Sequence, residues 1–277
     1  MDEMGSDLEY TYTPAREIFI LRQNSGDSLR KNLVMATNPR RALVTGASGD
    51  IGAAICAALA DAGYFVHAHA NANRARAQAV VDGIRAQGGA GETVAFDIAD
   101  ADAARAALAG LLESGPIDAL VHNAGIHDDA PLAGMNDAQW HRVIDVSLHG
   151  FFHVTQPLLL PMARSKFGRI VAVSSVAAQL GNRGQANYAA AKSALHGAAK
   201  SLAREMGSRG ITVNVVAPGV IAGKLAQAAF DEAQIRQIVP AGRAGTPEEV
   251  AALIAFLCSD AAAYINGQVI GVNGGMI

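Results

Sequence analysis

Three residues in the second half of the chain have the types and the spacing needed to transfer a proton. Ser175 lies thirteen residues before Tyr188, and Lys192 follows Tyr188 by four. Residues four apart share one face of a helix, so we expect the Lys192 ammonium beside the Tyr188 phenol. A nearby cation favours the phenolate, and we therefore expect the pKa of Tyr188 to lie below its reference of about 10. Such a phenol gives or takes a proton near neutral pH.

A glycine-rich turn near the start of the chain is the second chemical feature. The stretch ALVTGASGDIG, residues 42–52, predicts a strand, a turn and the start of a helix, an arrangement that binds phosphate at the helix N-terminus. Gly46 and Gly52 let the backbone approach a pyrophosphate, but Asp50 occupies the middle glycine position. We expect its carboxylate to turn away from the phosphates and cap the helix Ile51–Asp61. Steric needs alone also produce glycine-rich turns, so the turn is weak evidence by itself.

From Arg41 onward, short apolar runs alternate with longer helical patterns. Strands that are apolar on both faces indicate a parallel sheet covered by helices on both sides. We therefore predict an α/β fold, a single doubly wound Rossmann-type parallel sheet of about seven strands, with its ligand at the carboxyl ends of the strands. The predicted strands are Ala42–Thr45, Tyr64–His69, Thr93–Phe96, Ala119–His122, Arg169–Ser174, Thr212–Val216 and Gln268–Val272.

Two further segments stand out along the chain. Residues 1–38 are polar and have no sustained period, and we expect them to be a disordered N-terminal extension or the product of a wrongly assigned start, because Met35 would be an ordinary start for the domain at 39–277. The longest connection, Gly219–Thr246, contains only a weak helical pattern at Leu225–Ile238. Long connections of this kind are often lids over a site.

Composition limits the partners and the location. The net charge of −3 and the absence of a Lys/Arg run argue against nucleic acid or an anionic membrane as the main partner. No apolar stretch is long enough to span a membrane. Cys56 and Cys258 lie in apolar helical patterns, which favours buried thiols over a disulfide. A small-molecule ligand and a cytoplasmic location are the expectation.

Taken together, these motifs resemble the short-chain dehydrogenase/reductase family from Arg41 to the C-terminus. The resemblance includes HNAG at 122–125, FDIAD at 96–100 and APGVI at 217–221. Within the family, the segment from GNRGQANYAAAK to VNVVAPG and the ending VNGGM look most like bacterial 3-oxoacyl-ACP reductases. The resemblance implies that Tyr188 protonates the carbonyl oxygen, Ser175 bonds that oxygen, and Lys192 holds the cofactor ribose and lowers the pKa of Tyr188. The hydride comes from a nicotinamide cofactor.

The motifs and the resemblance together predict a set of cofactor-binding residues. This set comprises Gly46, Ser48, Asp50, Ile51, Gly52, Asn71, Arg74, Asp97, Ile98, Asn123, Ala124, Gly125, Tyr188, Lys192, Pro218, Gly219 and Ile221.

Besides Asp50, three further residues depart from the family pattern. Ser147 stands where the family has a catalytic asparagine that helps keep a water beside the lysine, and we retain Ser147 as a catalytic residue with a shorter reach. His122 replaces the first asparagine of N-N-A-G, and Gly223 replaces a threonine that often meets the nicotinamide amide. The resemblance leaves the cofactor contacts at these two positions open.

The end of the second predicted strand indicates the cofactor. NAD-dependent enzymes commonly carry an acidic residue there, which bonds the ribose hydroxyls and repels a 2′-phosphate. The stretch 67–81 contains no Asp or Glu, whereas Asn71, Asn73 and Arg74 are able to contact a phosphate. NADPH is therefore favoured, although Gly49 occupies the turn position where many NADPH-dependent enzymes place an arginine.

Two histidine pairs have metal-ligand spacing, His149 with His153 on a helix and His67 with His69 on a strand. No acidic or cysteine partner completes either set in the sequence, and we expect no metal. Packing at a subunit contact is the favoured interpretation of SLHGFFHV, residues 147–154. The resemblance implies a homo-oligomer that pairs this helix and the Tyr188 helix across a dimer, with a dimer of dimers as the assembly.

The predicted function is NADPH-dependent reduction of a 3-oxoacyl thioester to the 3-hydroxyacyl product, in fatty-acid or related polyketide synthesis. If acyl carrier protein (ACP) holds the substrate, this acidic partner requires a basic surface beside the site. Lys166 and Arg209 fall at positions that resemble docking residues, with Arg164 and Arg169 nearby, although such cations are as often simply solvated. The alternatives are a reductase of a CoA thioester or small ketone, and a cofactor-binding regulator without turnover.

Overall fold

A seven-stranded parallel sheet organises the part of the chain that the structure describes. The computed structural model describes residues 39–223 and 229–277. The strand order is β3-β2-β1-β4-β5-β6-β7, with every neighbouring pair parallel. This is the predicted doubly wound arrangement, and its strand order reverses between β1 and β4. The predicted extension at 1–38 lies outside the described residues.

The described elements follow one another in βα order. The strands are β1 Arg41–Thr45, β2 Phe65–His69, β3 Ala90–Val94, β4 Ala119–His122, β5 Gly168–Val173, β6 Ile211–Pro218 and β7 Val269–Val272. The α-helices are α1 Asp50–Asp61, α2 Arg74–Ala86, α3 Ala101–Glu113, α4 Asp137–Ile144, α5 Gly150–Ser165, α6 Ala177–Leu180, α7 Ala186–Met206, α8 Glu232–Ile238 and α9 Pro247–Cys258. A π-helical turn, Asp145–His149, joins α4 to α5.

Helices cover both faces of the sheet, as predicted. On one face α1, α2 and α9 bury residues such as Ile55, Val81 and Ile254. On the other face α3, α5 and α7 bury residues such as Leu108 and Leu195. The central strands are buried throughout, because both of their faces are covered.

Several sequence predictions about individual elements need correction. The third strand was predicted at Thr93–Phe96 but runs from Ala90 to Val94, because its pairing with β2 begins at Ala90, before the apolar residues, and ends at Val94. The last part of the helix predicted at Leu225–Ile238 forms α8, Glu232–Ile238, whereas residues 224–228 lie outside the described residues.

The apolar helices carry features that the sequence had indicated. Cys56 on α1 and Cys258 on α9 are both buried free thiols, and burial raises the pKa of each to about 12. Pro157 lies inside α5 and does not end it. Among the described residues, no helix is long and apolar enough to cross a membrane.

Candidate active site

Ser175, Tyr188 and Lys192 meet at the carboxyl edge of the sheet. Ser175 follows the end of β5, while Tyr188 lies in the first turn of α7 and Lys192 one turn later. Asn187 fixes that first turn: its amide donates to the carbonyls of Asp128 at 2.9 Å and Gln139 at 3.1 Å. The sequence analysis missed this buried anchor, whose only signal is a polar residue on the buried face of an amphipathic helix.

Lys192 is fully enclosed by the protein. Its ammonium donates a 2.8 Å hydrogen bond to the carbonyl of Val173 and lies 5.8 Å from the centre of the Tyr188 ring. Burial penalises the charged form and lowers the pKa of Lys192 to about 8. The Lys192 Nζ is also only 2.9 Å from the point that a Cβ on Gly125 would occupy. A side chain at position 125 would therefore displace the lysine.

The pKa of Tyr188 differs from the sequence prediction. The pKa of Tyr188 is raised to about 12: burial is the largest cause, a hydrogen bond with the Ser175 side chain acts in the opposite direction, and the negative charge of Asp129 adds to the rise. The predicted lowering of this pKa by Lys192 is wrong for the described arrangement. The reason is the burial of the phenol, which is the largest cause of the shift, while the ammonium donates to the Val173 carbonyl and lies 5.8 Å from the ring centre. Tyr188 is therefore a protonated phenol at neutral pH, ready to donate a proton.

An unexpected ring covers the Tyr188 phenol. His127 stacks on it, with ring centroids 4.1 Å apart and an interplanar angle of 25°. The Gln185 amide donates to His127 Nδ1 at 3.2 Å and to Asp129 Oδ2 at 2.8 Å. The sequence contains no signal for this stack, because the histidine comes from the loop after β4 and the tyrosine from α7.

The glycine turn and the segment after β4 form one cradle. A Cβ on Gly52 would lie 2.2 Å from the Gly46 carbonyl oxygen, and one on Gly46 would lie 2.9 Å from Ala124 Cα. Gly46 also has a φ of +68°, which favours glycine. The Asn123 amide donates to the carbonyls of Thr45 and Gly46 at 3.2 and 3.1 Å. These contacts leave the N-terminus of α1 accessible beside β1 and β4, where the strand order reverses and where a dinucleotide phosphate fits.

Comparisons with known proteins agree with this geometry. The family model described as enoyl-(acyl carrier protein) reductase matches residues 46–277. The chain belongs to the short-chain dehydrogenase/reductase family. It is 43% identical to the 3-oxoacyl-[acyl-carrier-protein] reductase FabG of Staphylococcus aureus over 240 residues, covering 86% of this chain and 98% of that protein. For FabG of Escherichia coli the identity is 44% over 238 residues, covering 85% and 96%.

The chain is thus an oxidoreductase of a family that uses nicotinamide cofactors. The predicted cofactor-binding residues all lie at the carboxyl edge of the sheet, as a short-chain reductase requires. Asn71 and Arg74 are exposed after β2, whereas after β3 Asp97 is exposed and Ile98 is buried. Ser48 and Ile51 lie in or beside the glycine turn. Pro218, Gly219 and Ile221 lie at the end of β6 or just after it.

Asp50 does not do what the sequence analysis predicted. It is the first residue of α1, but no side chain caps that helix, and the Asp50 carboxylate instead forms an ion pair with the Arg76 guanidinium on α2. The prediction that Asp50 caps α1 is therefore wrong. Its Oδ2 lies 2.6 Å from the position that a Cβ on Gly223 would take. Two departures from the family pattern, Asp50 and Gly223, are thus in contact.

The other two departures also meet. Ser147 lies in the π-helical turn, fully buried, and its hydroxyl has no hydrogen-bond partner within the described protein. The Ser147 Oγ is 3.6 Å from the Cβ position of Gly125, on which Lys192 also converges. His122, at the end of β4, bonds the Ser147 carbonyl at 2.9 Å. Ser147 and Lys192 therefore face the same point, while the catalytic role of Ser147 stays a prediction.

The two histidine pairs have acidic neighbours that the sequence analysis had not found. His149 Nδ1 lies 2.8 Å from Asp145 Oδ1, and His67 Nδ1 lies 2.9 Å from Glu92 Oε1. Each acid pairs with only one histidine. Within residues 39–223 and 229–277, no group of three or more His, Cys, Asp or Glu side chains is arranged to hold a metal.

The predicted docking cations do not lie beside the site of their own chain. Lys166 and Arg209 are exposed, but they precede β5 and β6 and so lie at the amino edge of the sheet, opposite Ser175 and Tyr188. Arg169 is buried and donates to the carbonyls of Gly168 and Gly210, so its role is structural. The prediction of a basic surface formed by these residues beside the site is wrong for a single chain.

Proposed function

We propose that the protein reduces a 3-oxoacyl thioester carried on ACP to the 3-hydroxyacyl product, with NADPH as the hydride donor. One observation carries this proposal: the Ser175 hydroxyl lies close enough to the Tyr188 phenol to lower its pKa, and Lys192 Nζ lies 5.8 Å from the Tyr188 ring centre, at the edge where the cofactor cradle opens. Two hydroxyl groups that converge on one point suit a single carbonyl oxygen. The names of the relatives, which are 3-oxoacyl-ACP reductases, support the substrate class.

The chain's own residues divide the work of carbonyl reduction. A nicotinamide cofactor held in the cradle of the glycine turn and the segment after β4 would supply the hydride for the carbonyl carbon. Tyr188, whose pKa is raised to about 12, retains its proton at neutral pH and donates it to the carbonyl oxygen. Ser175 holds that oxygen by a hydrogen bond, and Lys192 adds positive charge beside the phenol as negative charge develops. His127 covers one face of the phenol and limits the access of water.

The preference for NADPH is supported by the charges around the end of β2. Arg74 begins α2, and Arg76 lies two residues later with its guanidinium bonded to Asp50 in the glycine turn. The exposed Arg74 therefore supplies a cation after β2, and Arg76 compensates the negative charge of Asp50, although the turn itself lacks an arginine. No acid within 67–81 repels a 2′-phosphate.

Parallel assays with different substrates test the proposal. NADPH oxidation is measured with acetoacetyl-ACP, acetoacetyl-CoA and a simple ketone, and with crotonyl-ACP because the matching family model is described as enoyl-ACP reductase. The highest kcat/KM is expected with acetoacetyl-ACP. A preference for the CoA thioester or the ketone would support the alternative function, a reductase of a CoA thioester or small ketone. A preference for crotonyl-ACP would show that the enzyme reduces a carbon–carbon double bond rather than a carbonyl group. Cofactor binding without turnover of any substrate would indicate a regulator.

We also propose a homo-oligomer, with a dimer of dimers as the expected assembly. Phe152 and Leu160 on α5 are 62% and 65% exposed, and an apolar helix face of this kind suits a subunit contact. In such an assembly Lys166 and Arg209 would serve a neighbouring subunit's site. Reversing both charges, Lys166→Glu with Arg209→Glu, should raise KM for acetoacetyl-ACP and leave KM for acetoacetyl-CoA unchanged. Equal values of KM for the ACP substrate before and after the change would refute docking at these residues.

A further inference from the structure

His122 links the end of β4 to two other elements. The imidazole is completely buried, with Nδ1 3.3 Å from Thr45 Oγ1 and Nε2 2.9 Å from the Ser147 carbonyl oxygen. Thr45 ends β1, whereas Ser147 lies in the π-helical turn between α4 and α5. The ring therefore connects the centre of the sheet to the helix that passes the site.

The hydrogen bonds determine which ring nitrogen carries the proton. Thr45 Oγ1 accepts the backbone N–H groups of Asn123 and Ala124, both at 3.1 Å, so its own proton is free to point only at His122 Nδ1. Nδ1 is then an acceptor, and Nε2 bears the hydrogen that it donates to the Ser147 carbonyl. Burial agrees with a neutral ring, because it lowers the pKa of His122 to about 3.

Ser147 faces the catalytic lysine from this anchored turn. π-helical turns are rare and are frequently found at functional sites. The Ser147 hydroxyl and the Lys192 ammonium both lie within 3.6 Å of one point, the Cβ position of Gly125. The buried Ser147 hydroxyl has no hydrogen-bond partner within the described protein, and the absence of a side chain at Gly125 leaves it facing the same space as the Lys192 ammonium.

We propose that His122 is a positioning residue of the active site. Its Nε2–H holds the Ser147 carbonyl, which fixes the π-helical turn and keeps the Ser147 hydroxyl beside the Lys192 ammonium. His122 and Ser147 thus form one structural unit, and neither departure from the family pattern is independent of the other. The inference rests on the proposed function in one respect, that Lys192 takes part in carbonyl reduction.

The first test follows Lys192 without any turnover. The chain has five lysines, so ¹³C-labelled lysine gives a simple NMR spectrum, and Lys192→Met identifies the Lys192 signal. The described titratable groups that face Lys192 are Tyr188 on α7, His122 and His127. In His122→Asn the shorter side chain releases the Ser147 carbonyl and the hydroxyl leaves the ammonium. The Lys192 titration midpoint should then fall by about half a pH unit or more.

A matched variant separates positioning from stability. His67 is equally buried in the neighbouring sheet region, on β2, where it pairs with Glu92. His67→Asn should lower Tm without moving the Lys192 midpoint. If His122→Asn only lowers Tm, as His67→Asn does, the role of His122 is structural and the proposal is wrong. If His122→Asn does not fold, Thr45→Val, which removes the hydroxyl that sets the tautomer, should give the same downward shift, and an unmoved midpoint there overturns the proposal.

Kinetics with acetoacetyl-ACP provide the second test. His122→Asn should lower kcat about tenfold and leave KM for NADPH nearly unchanged. Adding Ser147→Asn should restore part of the lost kcat, because the longer asparagine amide reaches Lys192 without the hydrogen bond from His122 to the carbonyl of residue 147. Additive losses in the double variant would overturn the coupling of the two residues. A shift of the Lys192 midpoint in a protein that turns over no 3-oxoacyl substrate would support the role of His122 and refute the proposed function.

Discussion

The Asp50 carboxylate in the glycine turn forms an ion pair with the Arg76 guanidinium on α2. This pair explains how a phosphate-binding turn tolerates an acid: the arginine compensates a negative charge that would otherwise repel the pyrophosphate. Both side chains are partly exposed, at 39% and 43%, so the pair itself contributes little to folding stability. The main effect of the ion pair is to reduce the negative charge beside the expected pyrophosphate site.

Removal of Arg76 should therefore weaken cofactor binding, most of all for NADPH. In Arg76→Gln the Asp50 charge is uncompensated and a cation near the 2′-phosphate is lost, so Kd for NADPH should rise about tenfold and Kd for NADH by less. Binding of 2′,5′-ADP and 5′-ADP, measured by calorimetry, gives the comparison without turnover. Arg105→Gln, which removes an exposed arginine paired with Asp102 on α3, is the matched control. Equal losses for both nucleotides would contradict a role of Arg76 at the 2′-phosphate.

Gly223 should tolerate a side chain only when Asp50 is absent. Its φ of +153° already disfavours other residues, and a Cβ there would meet Asp50 Oδ2 at 2.6 Å. Gly223→Thr should therefore cost stability in the native background, and less in Asp50→Gly, with a coupling free energy of about 1 kcal/mol. Thermal unfolding of the two single variants and the double variant measures this coupling. Additive losses would show that backbone strain alone accounts for the stability lost in Gly223→Thr.

The sequence predicted what depends on local spacing and missed what depends on distant contacts. Four-residue spacing on a helix placed Lys192 beside Tyr188, and apolar runs at βα intervals indicated the sheet. Asp50 and Arg76 are 26 residues apart and meet only because α1 and α2 pack together, so no local pattern predicted the pair. The position of Lys166 and Arg209 was predictable: residues that precede parallel strands lie at the edge opposite the ligand.

The burial of Lys192 predicts the pH dependence of reduction. Because its pKa is lowered from 10.5 to about 8, the ammonium is present at pH 7 and is lost as the pH rises through about 8. Tyr188 stays protonated over this range, since its pKa is raised to about 12. The kcat/KM for reduction should be level below pH 7 and fall up to tenfold per pH unit above about 8. A profile that stays level up to pH 10 would show that the lysine charge is not required.

Loss of the Tyr188 hydroxyl should remove most turnover while cofactor binding persists. Tyr188→Phe keeps the ring that His127 stacks on, so the site should stay folded, but the proton donor is gone. The kcat for acetoacetyl-ACP should fall by about 10³, within the range expected for general acid catalysis, with Kd for NADPH changed less than about threefold. Stopped-flow fluorescence of NADPH measures both. Tyr64→Phe, which removes a buried phenol and its bond to the Cys258 carbonyl, should affect Tm and spare kcat.

The His127 ring should help to keep Tyr188 protonated. The stack covers one face of the phenol, and burial is the largest cause of its raised pKa. His127→Ala admits water to that face, so the pKa of Tyr188 should fall from about 12 toward its ordinary value of 10, whereas His127→Phe preserves the cover and should leave the pKa high. Tyrosinate absorbance against pH, with the Tyr188→Phe curve subtracted, isolates this residue. An unchanged titration in His127→Ala would place the origin of the raised pKa in Asp129 and the surrounding backbone instead.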